Sequence, residues 1–226
     1  MGEPKPTETQ PTIMAVGVLY KEIAELKKGK LEGFRVRLVR EDDPFEWDVG
    51  IYGPPNTFYH GAYLKATMRF PFNYPMQSPE FYFRTTMFHP NVHANGMVYM
   101  SILHDGTWLP TMSASTVLLS LVSLLTSPDT EWPCNMDAAH LYNQWRNSHG
   151  KDTSFLDRLA LQKTEWKEMA MLDDVVIPDT VEEYCRTARI EEQLDEEFIL
   201  SERYDCSEYG TDDSSTSEAE EDETDD

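Results

Sequence analysis

The chain has 226 residues and a formal net charge of −22, from 41 acidic against 19 basic residues. That sign repels nucleic acid and anionic lipid and argues against both as partners. A 40% hydrophobic share with five Trp supplies enough apolar material for one packed domain with appendages.

Residues 1–12 hold three prolines and few apolar groups and are expected to be loose. Pro6 stands where a myristoylation signal requires Ser or Thr, and no signal peptide is visible. Ile13, Val16, Leu19 or Tyr20, Ile23 and Leu26 then recur at helical spacing, with Lys27, Lys28 and Gly29 as a stop. Four period-two segments follow: Phe34-Val36-Leu38, Trp47-Val49-Ile51, Leu64-Ala66-Met68-Phe70 and Phe81-Phe83. They are separated by Asp42-Asp43-Pro44, Gly53-Pro54-Pro55-Asn56 and the Pro-rich stretch 71–79, and read as an antiparallel meander with one buried face. His89 to Pro110 has little regular pattern and is expected to be a long irregular loop. Ser113 to Leu125 is an apolar helix ending before Pro128, expected to be central and buried on several sides. Its apolar run is too short to span a bilayer and is cut by Ser120 and Ser123. Two more helices are predicted over Met136–Asn147 and from Asp152 to about Met171.

From Glu191 onward about 17 acidic residues face one Arg203, which leaves the rest of the chain near −6. Such a segment cannot bury enough apolar surface to order itself. Cys134, Cys185 and Cys206 are widely spaced, form neither a disulfide framework nor a zinc motif, and fit a reducing compartment, cytoplasmic or nuclear. No cofactor or metal is called for. The order of elements is that of an α+β domain, with a flexible 1–12, a core over 13–175 and an acidic, largely disordered tail over 176–226.

At this point the residues resemble the ubiquitin-conjugating enzymes. The match runs through Tyr52-Gly53-Pro54-Pro55-Asn56-Thr57, Phe70-Pro71-Phe72-Asn73-Tyr74-Pro75, Ser78-Pro79, His89-Pro90-Asn91-Val92, Gly96, Ser101-Ile102-Leu103, Trp108 and Pro110. It continues through Leu118–Leu125, Ser127-Pro128-Asp129, Pro133 and Asn135. Glu32-Gly33-Phe34, Asn135-Met136-Asp137-Ala138, Gly150-Lys151-Asp152 and Val181–Cys185 further resemble the acidic-tailed, cell-division-cycle type, which works with cullin–RING ligases. The resemblance implies the family fold: an N-terminal helix, four-stranded meander, active-site loop, central helix and two C-terminal helices. Its partners would be ubiquitin, a RING-type ligase, and the activating enzyme or an active conjugating enzyme.

Two departures matter. The family's catalytic Cys falls on Tyr99, and only Asp105-Gly106-Thr107 separates His104 from Trp108, where the subfamily has a longer acidic insertion. The family reaction needs an ionised, exposed thiolate. At pH 7 a Cys is on the order of 3% ionised and a Tyr on the order of 0.1%. Geometry weighs more, since misplacing a nucleophile by about 1 Å costs around a hundredfold. Tyr99 is therefore expected to pack over the site rather than carry ubiquitin. Asn91 resembles the family residue credited with stabilising the oxyanion, and His89 its partner in the loop; the alternative is that both only hold the turn. Cys134 is either a relocated nucleophile or a small apolar filler. Trp132 stands where relatives have a polar gate residue. Asp137 either orients an incoming amine or starts a helix. Lys21, Glu22 and Glu25 on the first helix, Met76 in one loop, and Pro110 and Thr111 in another fall on the family's ligase-docking positions. In the tail, Phe198, Tyr204 and Tyr209 interleave the acids, and Ser215 and Ser217 lie three residues before Glu218 and Glu220, a pattern for acid-directed phosphorylation.

Three readings follow. The first is an inactive conjugating fold regulating a cullin–RING ligase or a neighbouring conjugating enzyme. The second is an active enzyme using Cys134 or a Tyr99 ester. The third is a non-catalytic ubiquitin-binding module, which the retained His-Pro-Asn turn disfavours.

Overall fold

A computed structural model describes residues 11–29, 31–104 and 106–190, all within one compact unit, Met1–Glu192. The acidic stretch 191–226, with its aromatic and phosphorylation motifs and Cys206, lies outside the described residues, as do 1–10 and Asp105. Helix α1 (Ile13–Gly29) buries Ala15, Leu19, Ile23 and Leu26 on one face. The expected apolar stripe is therefore out of phase at its start. Ile13 is 82% exposed, because a first-turn residue has no preceding turn to pack beside, and Ala15 takes its place against the core.

Strands β1 (Phe34–Arg40), β2 (Asp43–Tyr52), β3 (Tyr63–Arg69) and β4 (Glu80–Phe83) form one antiparallel sheet in sequential order. The registers Val36↔Val49, Val49↔Ala66 and Ala66↔Phe83 put the alternating apolar residues on one inner face. There they meet α1 and helix α2 (Ala114–Thr126). Ser113 caps α2 in a reciprocal box with Thr116. The helix buries Ala114, Val117, Leu118, Leu121 and Leu125, but Leu119 is 56% exposed, so it is covered on one broad side rather than all round.

The two expected C-terminal helices are four. Helix α3 (Met136–Asn147) matches the pattern, but the next stretch divides into α4 (Ser154–Ala160) and α5 (Lys163–Leu172). The break falls at Leu161–Gln162. There the Gln162 N–H turns to Leu159 O (3.0 Å), and its side-chain Oε1 accepts the Phe88 N–H (3.1 Å), drawing the chain toward the loop after β4. A further helix, α6 (Val181–Ile190), lies inside the stretch read as tail. Glu183 and Thr180 bond each other's end of its first turn, the box that starts a helix.

The sheet is covered in part on its outer face. β3 is buried on both sides, Lys65 and Thr67 included, because α5 and the chain after it lie against it. A second small core forms there from Tyr52, Tyr63 and Ala170 with Met169, Val175, Ile177 and Tyr184. At its edge the Lys65 ammonium is held by Asp48 and Asp173 together. Arg37 Nη2 reaches Asp48 at 2.8 Å, Arg84 pairs with the other Asp48 oxygen, and the Tyr63 hydroxyl donates to Asp173 Oδ2 (2.6 Å). Burial acts to raise both carboxyls, but Lys65 and its neighbouring donors outweigh it and hold them below the ordinary carboxylate range. Tyr63 can cross β2 to reach Asp173 only because Gly50 lies beneath its ring; a Cβ there would stand 2.0 Å from the phenol oxygen. Gly50→Ala is expected to lower the unfolding free energy by roughly 1–3 kcal/mol through this overlap, read as a shifted denaturant midpoint at unchanged slope.

Candidate functional site

The loop between β4 and α2 is built by folding back on β4. Gly96, at φ 86°, passes so close to the strand that a Cβ would lie 2.1 Å from Phe83 O. Phe83 donates its N–H to Gly96 O (2.8 Å), and Val98 donates to Phe81 O (2.9 Å). Bridges Val92↔Val98 and Tyr82↔Met97, and a 3₁₀ turn over Ser101–Leu103, give this stretch more order than its sequence pattern predicted. The shortened connection to Trp108 closes on itself: Thr107 and Trp108 both donate N–H groups to His104 O at 2.9 Å. Trp108 Nε1 then donates to Pro75 O (2.7 Å).

His89 and Asn91 are both fully buried. The Asn91 carboxamide makes two bonds to the backbone of one residue, donating from Nδ2 to Asp129 O and accepting at Oδ1 from the Asp129 N–H, each at 2.9 Å. Asn91 N–H donates to His89 Nδ1 (2.9 Å). His89 must then carry its proton on Nε2, which faces Leu124 O at 3.2 Å. Burial pushes the imidazole down to about 4, against a backbone bond that favours the proton, so the ring is neutral near pH 7.

Tyr99 is half-buried. Its N–H donates to Asn91 O (2.8 Å), and its ring meets His104 edge-on with centroids 4.5 Å apart. Cys134 and Asn135 both donate N–H groups to Pro90 O (3.0 and 2.9 Å), and the Cys134 sulfur lies 3.6 Å from the same oxygen. Burial pushes this thiol up, away from the thiolate a nucleophile needs. Trp132 stands on the neighbouring loop, 72% exposed, above a turn in which the Asp129 carboxylate accepts the Glu131 and Trp132 N–H groups. Asp137 is exposed in the first turn of α3, where Asn135, not Asp137, supplies the cap. The structure thus brings His89, Asn91 and Tyr99 on the loop after β4, and Cys134 on the connection between α2 and α3, into one set of hydrogen bonds, and leaves Asp137 outside it.

The proposed docking residues also gather. Lys21 and Glu25 pair at 3.8 Å on the exposed face of α1. Glu22 differs: its carboxylate accepts from the Tyr74 hydroxyl (2.9 and 3.0 Å) and from the Ala114 N–H at the start of α2 (2.7 Å). Burial raises this carboxyl, although both donors favour its charge. Glu22 therefore ties α1 to the loop that carries Met76, and the Trp108–Pro75 bond ties that loop to Pro110 and Thr111. Met76, Pro110 and Thr111 are exposed. Sequence reading missed Leu109, an exposed leucine between Trp108 and Pro110. It also missed the Lys65 cluster, whose members lie on β1, β2 and β3, just past β4 and at the end of α5, with Tyr63 and Asp173 bonded across 110 residues.

Residues 18–156 match the sequence profile of a family described as ubiquitin-conjugating enzyme. The chain is 40% identical over 146 residues to Ubiquitin-conjugating enzyme E2 15 of Schizosaccharomyces pombe, covering 59% of this chain and 87% of that one. It is 37% identical over 139 residues to Probable ubiquitin-conjugating enzyme E2 7 of Caenorhabditis elegans, covering 56% and 85%. Against Ubiquitin-conjugating enzyme E2 14 of Arabidopsis thaliana the identity is 34% over 160 residues, covering 66% and 94%. No helix among the described residues is long and apolar enough to cross a membrane.

The buried neutral His89 gives a pH dependence. An unfolded His binds its proton near 6.5 and the folded one only near 4, so between those values the unfolded state holds more protons and stability falls as pH falls. The loss across that window is expected to be on the order of 3 kcal/mol, blunted by Glu22, whose raised carboxyl acts in the opposite sense. Urea midpoints from pH 7 to 4, with the His89 imidazole followed by NMR, measure it.

Proposed function

The chain belongs to the ubiquitin-conjugating enzyme family and to the protein-ubiquitination pathway, and on that premise we propose that it is a non-transferring member. It binds a cullin–RING ligase, or a neighbouring conjugating enzyme, as a regulator. The reading takes residues 13–175 as the family core, flanked by 1–12 and the acidic 176–226, in the cytoplasm or nucleus.

The observation that carries this is Tyr99. It stands at the family's Cys position in the motif match, with its backbone bonded to Asn91 and its ring against His104. A phenol there is a weak nucleophile whose oxygen lies a ring's length beyond a sulfur. Asn91, the family's oxyanion donor by resemblance, has both halves of its amide bonded to Asp129, which favours the loop-holding role over the catalytic one. Against a relocated nucleophile stands the Cys134 thiol, half-buried on Pro90 O. Ligase docking is supported by the surface of Lys21, Glu25, Met76, Leu109, Pro110 and Thr111, with Glu22 and Trp108 holding its parts together. An acidic tail suits a basic cullin surface, reached by fast, salt-sensitive association.

Incubating the chain with activating enzyme, ATP and ubiquitin is expected to give no adduct on a non-reducing gel, whereas Tyr99→Cys restores a thiol-labile one. A thiol-labile adduct on the unmodified chain that disappears with Cys134→Ser, or a thiol-resistant ester on Tyr99, would replace this reading with an active enzyme.

A further inference from the structure

On the outer face of the sheet, where β1, β2 and β3 meet the end of α5, lies a cavity of about 660 Å³, a size ordinary for small-ligand sites. We propose that it binds a small organic anion: a carboxylate or phosphate carried on an apolar body.

The polar half of the cavity is defined by charge and by donor supply. Arg37, Lys65 and Arg84 line it against two carboxylates, Asp48 and Asp173, a local excess of positive charge in a chain of net charge −22. The Lys65 ammonium is locked at the floor, its side chain 8% exposed between both carboxylates. The carboxylate oxygens are already engaged: Asp48 Oδ1 by Arg84, Asp48 Oδ2 by Lys65 and Arg37, and Asp173 Oδ2 by Lys65 and Tyr63, with Arg37 3.6 Å from Asp173 Oδ1. A guanidinium has five N–H donors, and the bonds described for Arg37 and Arg84 in this cluster use Nη2 in each. The cluster thus carries more donors than acceptors, and both guanidiniums remain about half exposed at its mouth. An incoming anion supplies the missing acceptor, in the charge-assisted geometry that suits carboxylate and phosphate alike.

The apolar half is the rim. Val39 on β1 and Met169 and Leu172 on α5 line the same cavity, with Val39 about half and Leu172 mostly exposed to water. A ligand with a hydrocarbon or aromatic body covers them while its anionic end meets the arginines, whereas a bare inorganic ion leaves them wet.

The test is an NMR titration of the full chain with phenyl phosphate, benzoate, phenol and inorganic phosphate. Phenyl phosphate or benzoate is expected to shift the signals of Val39, Lys65 and Leu172 saturably, and the tighter of the two identifies the preferred head group. Phenol lacks the charge and inorganic phosphate the apolar body, so each binds about tenfold more weakly or not at all. Arg84→Gln removes an exposed donor and is expected to weaken the better ligand about tenfold, and Leu172→Ser several-fold, with the signals of the inner core unmoved in both. The proposal is overturned if neither anion gives saturable shifts at these residues by about 10 mM. It is equally overturned if phenol binds as well as phenyl phosphate, or if Arg84→Gln leaves the affinity unchanged.

Discussion

The Asn91 carboxamide, buried and bonded to both the N–H and the C=O of Asp129, is the interaction on which the site depends. It joins the loop after β4 to the connection between α2 and α3, two segments with no strand pairing between them. Removing the amide would take the side-chain partner from the Asp129 N–H and C=O, which are part-buried, and so cost on the order of 1 kcal/mol for each bond. The neighbouring bonds follow from it. Asn91 O fixes the Tyr99 backbone, Asn91 N–H fixes the His89 tautomer, and Pro90 O gathers the N–H groups of Cys134 and Asn135. A loop without regular secondary structure is thereby held as firmly as a strand, whatever residue occupies position 99.

The same device recurs at two other places. Glu22 joins α1, the Tyr74 loop and the start of α2 with one carboxylate, and Lys65 joins β2, β3 and the end of α5 with one ammonium. Each is an ionisable side chain withdrawn from water and satisfied by several donors or acceptors, the condition under which a buried charge is tolerated. Each also fixes the relative placement of segments that hydrophobic packing alone would leave free to slide. The loops carrying Met76 and Pro110 inherit their geometry from Glu22 and Trp108, and the C-terminal helices inherit theirs from Asp173 and the Tyr63 ring over Gly50.

Much of the fold could be read from local pattern. The four strands, the apolar helix beginning near Ser113, and helix α3 with its bounds are periodicities and stop signals carried by adjacent residues. Local pattern failed where a distant partner intervened. The phase of α1 is set by which turn reaches the core, and Gln162 divides one apolar helical run into α4 and α5 because Phe88 takes its side chain. Arg35, Arg37, Asp48, Lys65 and Thr67 alternate as a solvated face would, yet α5 covers part of that face. Polarity signals water only when no complementary charge arrives from elsewhere in the chain.

The sequence by itself determined the family and the α+β order of elements; these are matters of residue identity and short-range spacing. Only the tertiary structure decided that both the oxygen and the nitrogen of the Asn91 amide bond Asp129, that Glu22 is a tie within the fold while Lys21 and Glu25 face solvent, and that a charged cavity lies beneath Leu172. The physical reason is that a hydrogen-bonding group's role depends on which partners reach it in space, and those partners lie tens of residues away along the chain.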